Sequence, residues 1–346
     1  MRTTAGTRKT KCRFPFQDWR FWTYGAALAS SLFLAFSVCA PPASAAALKT
    51  LKVGIPGNSV DFARWFIAKD KGFFQKNGLD VTFVHLAANT LPAALVSNGI
   101  QATPLSTSVL SGNLAGFKVK LVGETNTKLD YMIIADKSIK SVADLKHKTI
   151  VTGPPKGGPN ALLVYVLTKG GLDPKKDVKL IYIGSEAARR TLILAHNADA
   201  IIDDVAHGLE LEEKMPSLHT LVATSQMPEG FGSSPGMSED VIKNDPDLVK
   251  RMLRALAETK IFIESHPDET AALVQKELTL SPSIAKKATA VVIASLAPSL
   301  VPTDAMYTGQ AEIESMLMGK KITTARIKAA WDTRLAAEVE KELSAK

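Results

Sequence analysis

Cysteine is almost missing from this sequence. The chain has 346 residues and only two cysteines, Cys12 and Cys39, both within the first 45 residues. A leader cleaved after residue 45 would remove both of them. The 301 residues that follow have no disulfide, no thiol nucleophile and no cysteine-based metal site. A chain of that length can bury a sufficient hydrophobic core without covalent links.

Patterns of catalytic and metal sites are missing as well. No two of the six histidines have the i, i+4 spacing of a helical metal site. The chain has no G-x-S-x-G nucleophile elbow and no Ser/His/Asp arrangement that its order supports. Heptads, low-complexity segments and repeats of 20–50 residues are also lacking. We therefore expect no metal, no cofactor and no catalytic residue.

The first 45 residues have the three parts of a signal peptide. A basic stretch is followed by the uncharged run 25–38, which is shorter than the roughly 20 apolar residues that span a bilayer. The sequence Ala43-Ser44-Ala45 then provides a cleavage site. Val38 stands where a lipoprotein would have a small residue, and no twin arginine precedes the apolar run. We expect a signal peptide over residues 1–45, cleavage after Ala45 and a periplasmic protein.

The positive charge belongs mainly to that leader. The formal net charge is +8, but six of the 42 lysines and arginines lie in the first 45 residues, against one acid, Asp18. The remaining chain has 36 basic and 33 acidic residues. Its balance of +3 gives no reason to expect nucleic-acid binding.

Short β-rich runs alternate with amphipathic helical stretches after residue 45. Strands are predicted over 51–56, 80–86, 102–105, 118–123, 131–135, 148–152, 178–183, 198–204 and 218–224. This alternation predicts an α/β fold with mixed, mostly parallel sheets. The alternation starts again after Ala135, and from Ser234 onward the pattern is mostly helical. We predict a first lobe over 46–135, an inserted second lobe over 136–223, and a return to the first lobe over 224–346.

Three stretches carry a family resemblance. Residues 67–81 read Ile-Ala-Lys-Asp-Lys-Gly-Phe-Phe-Gln-Lys-Asn-Gly-Leu-Asp-Val and are similar to the signature A-x-x-x-G-[FY]-F-x-x-x-G-L-x-V. Residues 141–149 resemble the opening of the second lobe, and 247–255 resemble the return to the first. The chain therefore resembles the periplasmic solute-binding proteins of ABC importers for nitrate, taurine, alkanesulfonates and thiamine-precursor pyrimidines.

The resemblance implies two Rossmann-like lobes joined by a two-segment hinge, as in the type II periplasmic binding proteins. It also implies a small-molecule ligand in the cleft, permease subunits as partners, and a monomer. Two stretches depart from the family pattern, 99–103 and 202–205. The pocket is therefore not a copy of a typical sulfonate site, and the ligand is open.

Ligands of open α/β sheets lie beyond the carboxyl ends of the strands, near helix N-termini. This rule selects the candidate contacts in both lobes. In the first lobe they are Gly57, Asn58, Ser59, Phe62, Trp65, Ser106, Thr107 and Ser108. In the second lobe they are Gly157, Gly158, Asn160, Gly184, Ser185, Asp203 and Asp204.

Several of these candidates have a second interpretation. The loop 153–160 lacks the Lys-Ser or Lys-Thr of a phosphate-binding loop, so it is either an anion-binding helix start or a plain turn. One carboxylate of Asp203 and Asp204 would cap the next helix. The other would either contact a cation or an amine on the ligand or be solvated. Phe62 and Trp65 have a spacing that also suits the core.

Two other classes share these lobes. One is a secreted enzyme, but the enzymes in question depend on cysteines that this chain lacks after residue 45. The other is a sensor-input or LysR-type regulator domain, which as a regulator would need a helix-turn-helix where the leader stands. We therefore favour the receptor.

Overall fold

A computed structural model describes residues 47–155, 157–230 and 232–345. The predicted signal peptide and its cleavage site lie outside the described residues. None of the helices in this described part is long and apolar enough to cross a membrane.

Strands and helices alternate through the first two thirds of the described chain, and helices follow. The strands are β1 (Lys49–Ile55), β2 (Leu79–His85), β3 (Val119–Leu121), β4 (Tyr131–Asp136), β5 (Thr149–Thr152), β6 (Lys179–Tyr182), β7 (Ala200–Asp204), β8 (Leu218–Val222) and β9 (Gly236–Ser238). The α-helices are α1 (Ala63–Asp70), α2 (Phe73–Lys76), α3 (Leu91–Val96), α4 (Ser106–Leu114), α5 (Gly158–Lys169), α6 (Glu186–Leu194), α7 (Val205–Lys214), α8 (Glu239–Asn244), α9 (Pro246–Ser265), α10 (Pro267–Leu278), α11 (Pro282–Ser295), α12 (Asp304–Met318), α13 (Thr324–Lys328) and α14 (Arg334–Ser344).

The strands form a mixed set of sheets. β1 pairs in parallel with β2, and β3 pairs with β9 in the antiparallel direction. The largest sheet has the order β6-β5-β7-β4-β8. In it β5 is parallel to β6 and β7, whereas β4 is antiparallel to β7 and β8. The α/β prediction is confirmed, but antiparallel pairs are as frequent as parallel ones, because β4 enters the sheet opposite to the strands that follow it.

The helix starts follow the local chemistry of their sequences. The side chain of Asp245 accepts from the N–H of Leu248, and Pro246 opens α9, so the predicted cap and proline are where the sequence placed them. Val249 and Leu256 on α9 are fully buried in a core with α1 and β1. The packing of this apolar face, more than intrinsic helix propensity, therefore stabilises the 20-residue helix.

The last helices contact more than one part of the fold. α9 packs on α1 and α2, whereas α11 packs on α7 and α12 packs on α5. Ile313 of α12 lies in one apolar cluster with Leu163 of α5. The strand β4, placed by sequence at the end of the first lobe, is hydrogen-bonded inside the five-stranded sheet. The lobe boundaries themselves stay a prediction.

Candidate functional site

Two helix N-termini that were predicted to face the ligand lie against each other. Thr107 is buried in the first turn of α4, and Gly158 is the first residue of α5. A Cβ atom built on Gly158 would lie 3.3 Å from Thr107 Cγ2 and 3.5 Å from Thr107 Oγ1. The absence of a side chain at Gly158 therefore allows these two helix ends to approach.

Asp61 connects the turn after β1 to the start of β4. It lies in a 3-10 turn over Val60–Phe62 that Ser59 caps. Its Oδ1 accepts from the backbone N–H of Asp130 at 2.6 Å. The carbonyl of Asp130 accepts from the N–H of Val205, the residue after Asp204. A carboxylate from the first part of the chain is thus held beside the start of α7.

Asp203 and Asp204 divide two roles between them. Both are fully buried. Asp204 caps α7 by accepting from the N–H groups of Ala206 and His207, and its Oδ2 lies 2.5 Å from His207 Nδ1. Asp203 forms an ion pair with Arg190 at 3.1 Å. Asp204 is therefore the helix cap. Asp203 is neither solvated nor unpaired, because it is buried beside Arg190.

Glu186 completes the site from the first turn of α6. One ligand atom from each of Glu186, Asp204 and His207 lies within 4.8 Å of the others. Tyr131 donates its hydroxyl to Glu186 at 3.4 Å. We call Asp61, Glu186 and Asp204 the carboxylate cluster. Glu186, Asp204 and His207 are also a set that could hold a metal ion, which the sequence analysis missed because it sought only paired histidines.

Burial and mutual repulsion dominate the electrostatics of the cluster. Burial raises the pKa of Asp61 well above its ordinary value, and the charges of Asp130, Asp204 and Glu186 raise it further. Burial and the charge of Asp204 also raise the pKa of Glu186. Burial raises the pKa of Asp130 to about 7, and the nearby Ser295 hydroxyl acts in the opposite direction.

The neighbouring groups respond to the same charges. Burial, followed by the charge of Asp204, raises the pKa of Asp203 to about 7. For His207, burial acts to lower the pKa, but the hydrogen bond and charge of Asp204 outweigh it and raise the pKa. The site therefore has an excess of buried negative charge if all its acids ionise.

Four other candidates have polar contacts within the protein. Ser106 donates to the carbonyl of Gly232, and Ser108 to that of Ala88. Asn160 donates to the carbonyl of Pro155, while its Oδ1 is buried without a partner. Ser185 is exposed and caps α6.

The remaining candidates are either open or in the core. Asn58 is exposed and donates to Glu277, and nothing lies within 4 Å of a Cβ atom on Gly57 or Gly184. Gly157 precedes α5 as its N-cap. Phe62 and Trp65 are buried in the core with β1 and α9, so the structure does not bring them to the site. One open groove, lined by residues such as Lys49, Gln101 and Asp245, contains none of the candidates.

Sequence reasoning missed Asp61, Asp130, Tyr131 and Glu186. Each is a single polar residue at the edge of a predicted element, which is the ordinary position of a surface charge. Only contacts between distant parts of the chain make them a site: 69 residues separate Asp61 from Asp130, and 55 separate Tyr131 from Glu186. The spacing of Asp204 and His207 at a helix start was the one local signal, because i, i+3 residues there share a face.

The profile of the NMT1/THI5-like family matches residues 59–270, which is more than half of the chain. The protein belongs to the NMT1/THI5-like family. The predicted family resemblance is thereby confirmed.

Known proteins agree with this assignment. The chain is 25% identical to YtlA of Bacillus subtilis, named as a binding protein, over 71% of this chain and 75% of that protein. The structure of the alkanesulfonate-binding protein SsuA from Xanthomonas axonopodis pv. citri bound to MOPS superposes with a TM-score of 0.68 at 19% identity, covering 85% of this chain and 98% of that one. The periplasmic nitrate-binding protein NrtA from Synechocystis gives a TM-score of 0.70 at 17% identity, covering 86% and 90%. At these identities the structures show the periplasmic-binding-protein fold.

Proposed function

We propose that the protein is the periplasmic receptor of an ABC importer and not an enzyme. It captures a small polar organic solute in a cleft between two lobes and delivers it, as a monomer, to permease subunits. The observation that carries the proposal is the approach of the α4 and α5 N-termini at Thr107 and Gly158. The similarity to proteins named for alkanesulfonate and nitrate binding supports it.

The proposal assigns the hinge to two neighbouring segments of chain. These are 123–130, which leads into β4, and the described residues 223–230 and 232–235, which lead into β9. The N–H of Asn126 donates to the carbonyl of Ser233 at 3.0 Å, and the hydroxyl of Thr125 donates to the same carbonyl. Arg64 of α1 donates to the carbonyl of Thr125. Two crossing segments held together in this way suit rotation of one lobe against the other.

Solute capture is tested by a thermal-shift screen combined with X-ray scattering. The compounds are sulfonates, nitrate, aromatic carboxylates and pyrimidines. A compound present at 100 times its Kd should stabilise the protein by about 2.7 kcal/mol, and the radius of gyration should fall as the lobes close. Stabilisation without any change in the radius of gyration would contradict the closing mechanism.

Replacing Gly158 with leucine should weaken solute binding at least about tenfold, which corresponds to about 1.4 kcal/mol. A Cβ atom there would lie 3.0 Å from Leu129 Cδ1 and 3.3 Å from Thr107 Cγ2, so a larger side chain would separate the two helix ends. Calorimetry with a compound from the screen measures the change. Ala115→Leu, at the exposed far end of α4, is the matched control and should bind as the parent does. If Gly158→Leu and Ala115→Leu bound the solute with equal affinity, the solute would not bind where α4 and α5 meet.

A further inference from the structure

The carboxylate cluster has more negative charge than its neighbours balance. Asp130 and Asp203 lie beside its three members, so five acids influence one another here. The cations that face them are Arg189, Arg190 and His207. Arg190 is paired with Asp203 and His207 with Asp204. Among the described residues, no ion pair reaches Asp61 or Asp130.

A local structural role does not account for this arrangement. Asp204 would cap α7 equally well as asparagine, because an amide oxygen accepts the same N–H groups. Asp61 accepts one backbone N–H, and an amide oxygen could replace its Oδ1 as well. Burying unbalanced carboxylates costs stability unless a positive group or a proton joins them. The negative charge of these carboxylates is therefore the feature that requires a positive group or a proton beside them.

Arg189 provides a second, independent sign that the site lacks a component. Its side chain is 2% exposed, and its Nε and Nη2 have no hydrogen-bond partner. Nη2 is directed at the site, 3.4 Å from Glu186 Oε1 and 3.8 Å from Asp203 Oδ1, without hydrogen-bond geometry to either. Buried guanidinium N–H groups rarely lack a hydrogen-bond acceptor. We therefore expect an acceptor from outside the chain beside Glu186.

We infer that the carboxylate cluster recognises a positively charged amino group of the solute, and that the same solute carries a hydrogen-bond acceptor for Arg189. The inference rests on the proposed receptor function and names the class of its solute. Asp61 approaches the amino group from the first lobe, and Glu186 and Asp204 approach it from the second. A charged amino group between them would draw the lobes together, because it neutralises acids on both sides of the cleft.

This inference separates the solute from a plain anion. A sulfonate or nitrate would add negative charge beside Asp61 and Glu186, and like charges at this distance repel. A compound with both a charged amino group and an acceptor, such as an amino acid or an aminosulfonate, fits both the acids and Arg189.

Calorimetry with matched pairs of compounds tests the inference. The pairs are ethanesulfonate and 2-aminoethanesulfonate, and butyrate and 4-aminobutyrate. We expect the amino member of at least one pair to bind at least about tenfold more tightly than its partner. Tighter binding of the amino-free members, or no binding of any amino member, would overturn the inference. If an amino-free compound binds and closes the cleft, the receptor function stands while this inference fails.

Three conservative variants locate the effect. Asp61→Asn and Glu186→Gln each keep an acceptor but lose the charge, and each should weaken binding of the amino compound about 10- to 100-fold. Asp80→Asn, on an exposed position of β2, is the control and should bind as the parent does. Urea unfolding checks that all three fold. Unchanged affinity in both cluster variants would overturn the inference.

Discussion

Replacing Trp65 with alanine is expected to lower the free energy of unfolding by about 3–5 kcal/mol. Trp65 has no exposed surface, and its ring lies 6.0 Å from that of Phe74 in the core formed by β1, α1 and α9. Removing the indole leaves a cavity that backbone elements on several sides cannot fill. Urea denaturation followed by circular dichroism measures the change.

Two further variants make this result specific. Phe117→Ala removes an aromatic side chain that is 42% exposed, and should cost less than about 1 kcal/mol. Trp65→Phe keeps most of the volume and removes an indole N–H that is buried without a partner. It should therefore cost much less than Trp65→Ala. If Trp65→Ala instead kept its stability and lost solute binding, the alternative that Trp65 stacks on the ligand would be right.

Trp65 also shows why the site was harder to predict than the fold. Its spacing from Phe62 and Phe66 is that of one helix face, and periodicity alone cannot say whether that face meets a ligand or the core. The structure turns it to the core, because α1 lies between β1 and α9. Eight strand positions, by contrast, were predictable to within a few residues, because their apolar runs are bounded by glycine, proline or charge. The predicted strand 102–105 was wrong, since it has only isolated bridges to Val53 and Gly236, and the short strand β9 was not predicted.

The direction of the strands was less accessible than their positions. β4 has the same apolar sequence whether it runs parallel or antiparallel to β7, since its two faces are both buried. The pairing of Tyr131 with Asp204 brings the start of β4 to the end of β7. Sequence periodicity has no information on that pairing. The pairing of β4 with β7 nevertheless places Asp130 and Asp61 beside the acids of β7, and so creates the carboxylate cluster.

Asp203 and Asp204 were predictable because their chemistry is local. Two acids at a strand end before a helix leave one for the cap, and Asp204 takes that role through two backbone N–H groups. Asp61 gave no such signal, since a single acid in the first turn of a helix is common. Its importance comes from Asp130 and Glu186, which are distant in sequence. Sites made by tertiary contact between single charges are the part that composition and spacing do not reveal.

A buried carboxyl outside the carboxylate cluster should make the stability of the protein depend on pH. Glu314 on α12 is 1% exposed, and its Oε2 has no hydrogen-bond partner. Burial raises its pKa from 4.5 to about 7. A carboxyl whose pKa is raised by folding is protonated in the folded chain while it ionises in the unfolded chain. Its contribution is therefore complete below pH 4.5 and is lost as the pH rises to about 7.

Glu314→Gln is expected to have a higher free energy of unfolding than the parent above pH 7. The difference between variant and parent should be about 2–3 kcal/mol larger there than at pH 5. Glutamine keeps the shape of the protonated carboxyl and cannot ionise, so the variant avoids the cost of a buried charge. Urea unfolding at pH 5 and pH 8 measures the difference. Glu213→Gln, at an exposed position of α7, is the control and should change the free energy of unfolding equally at pH 5 and pH 8. A parent protein with the same pH dependence as Glu314→Gln would mean that Glu314 ionises freely, and hence that α12 does not enclose it against the rest of the fold.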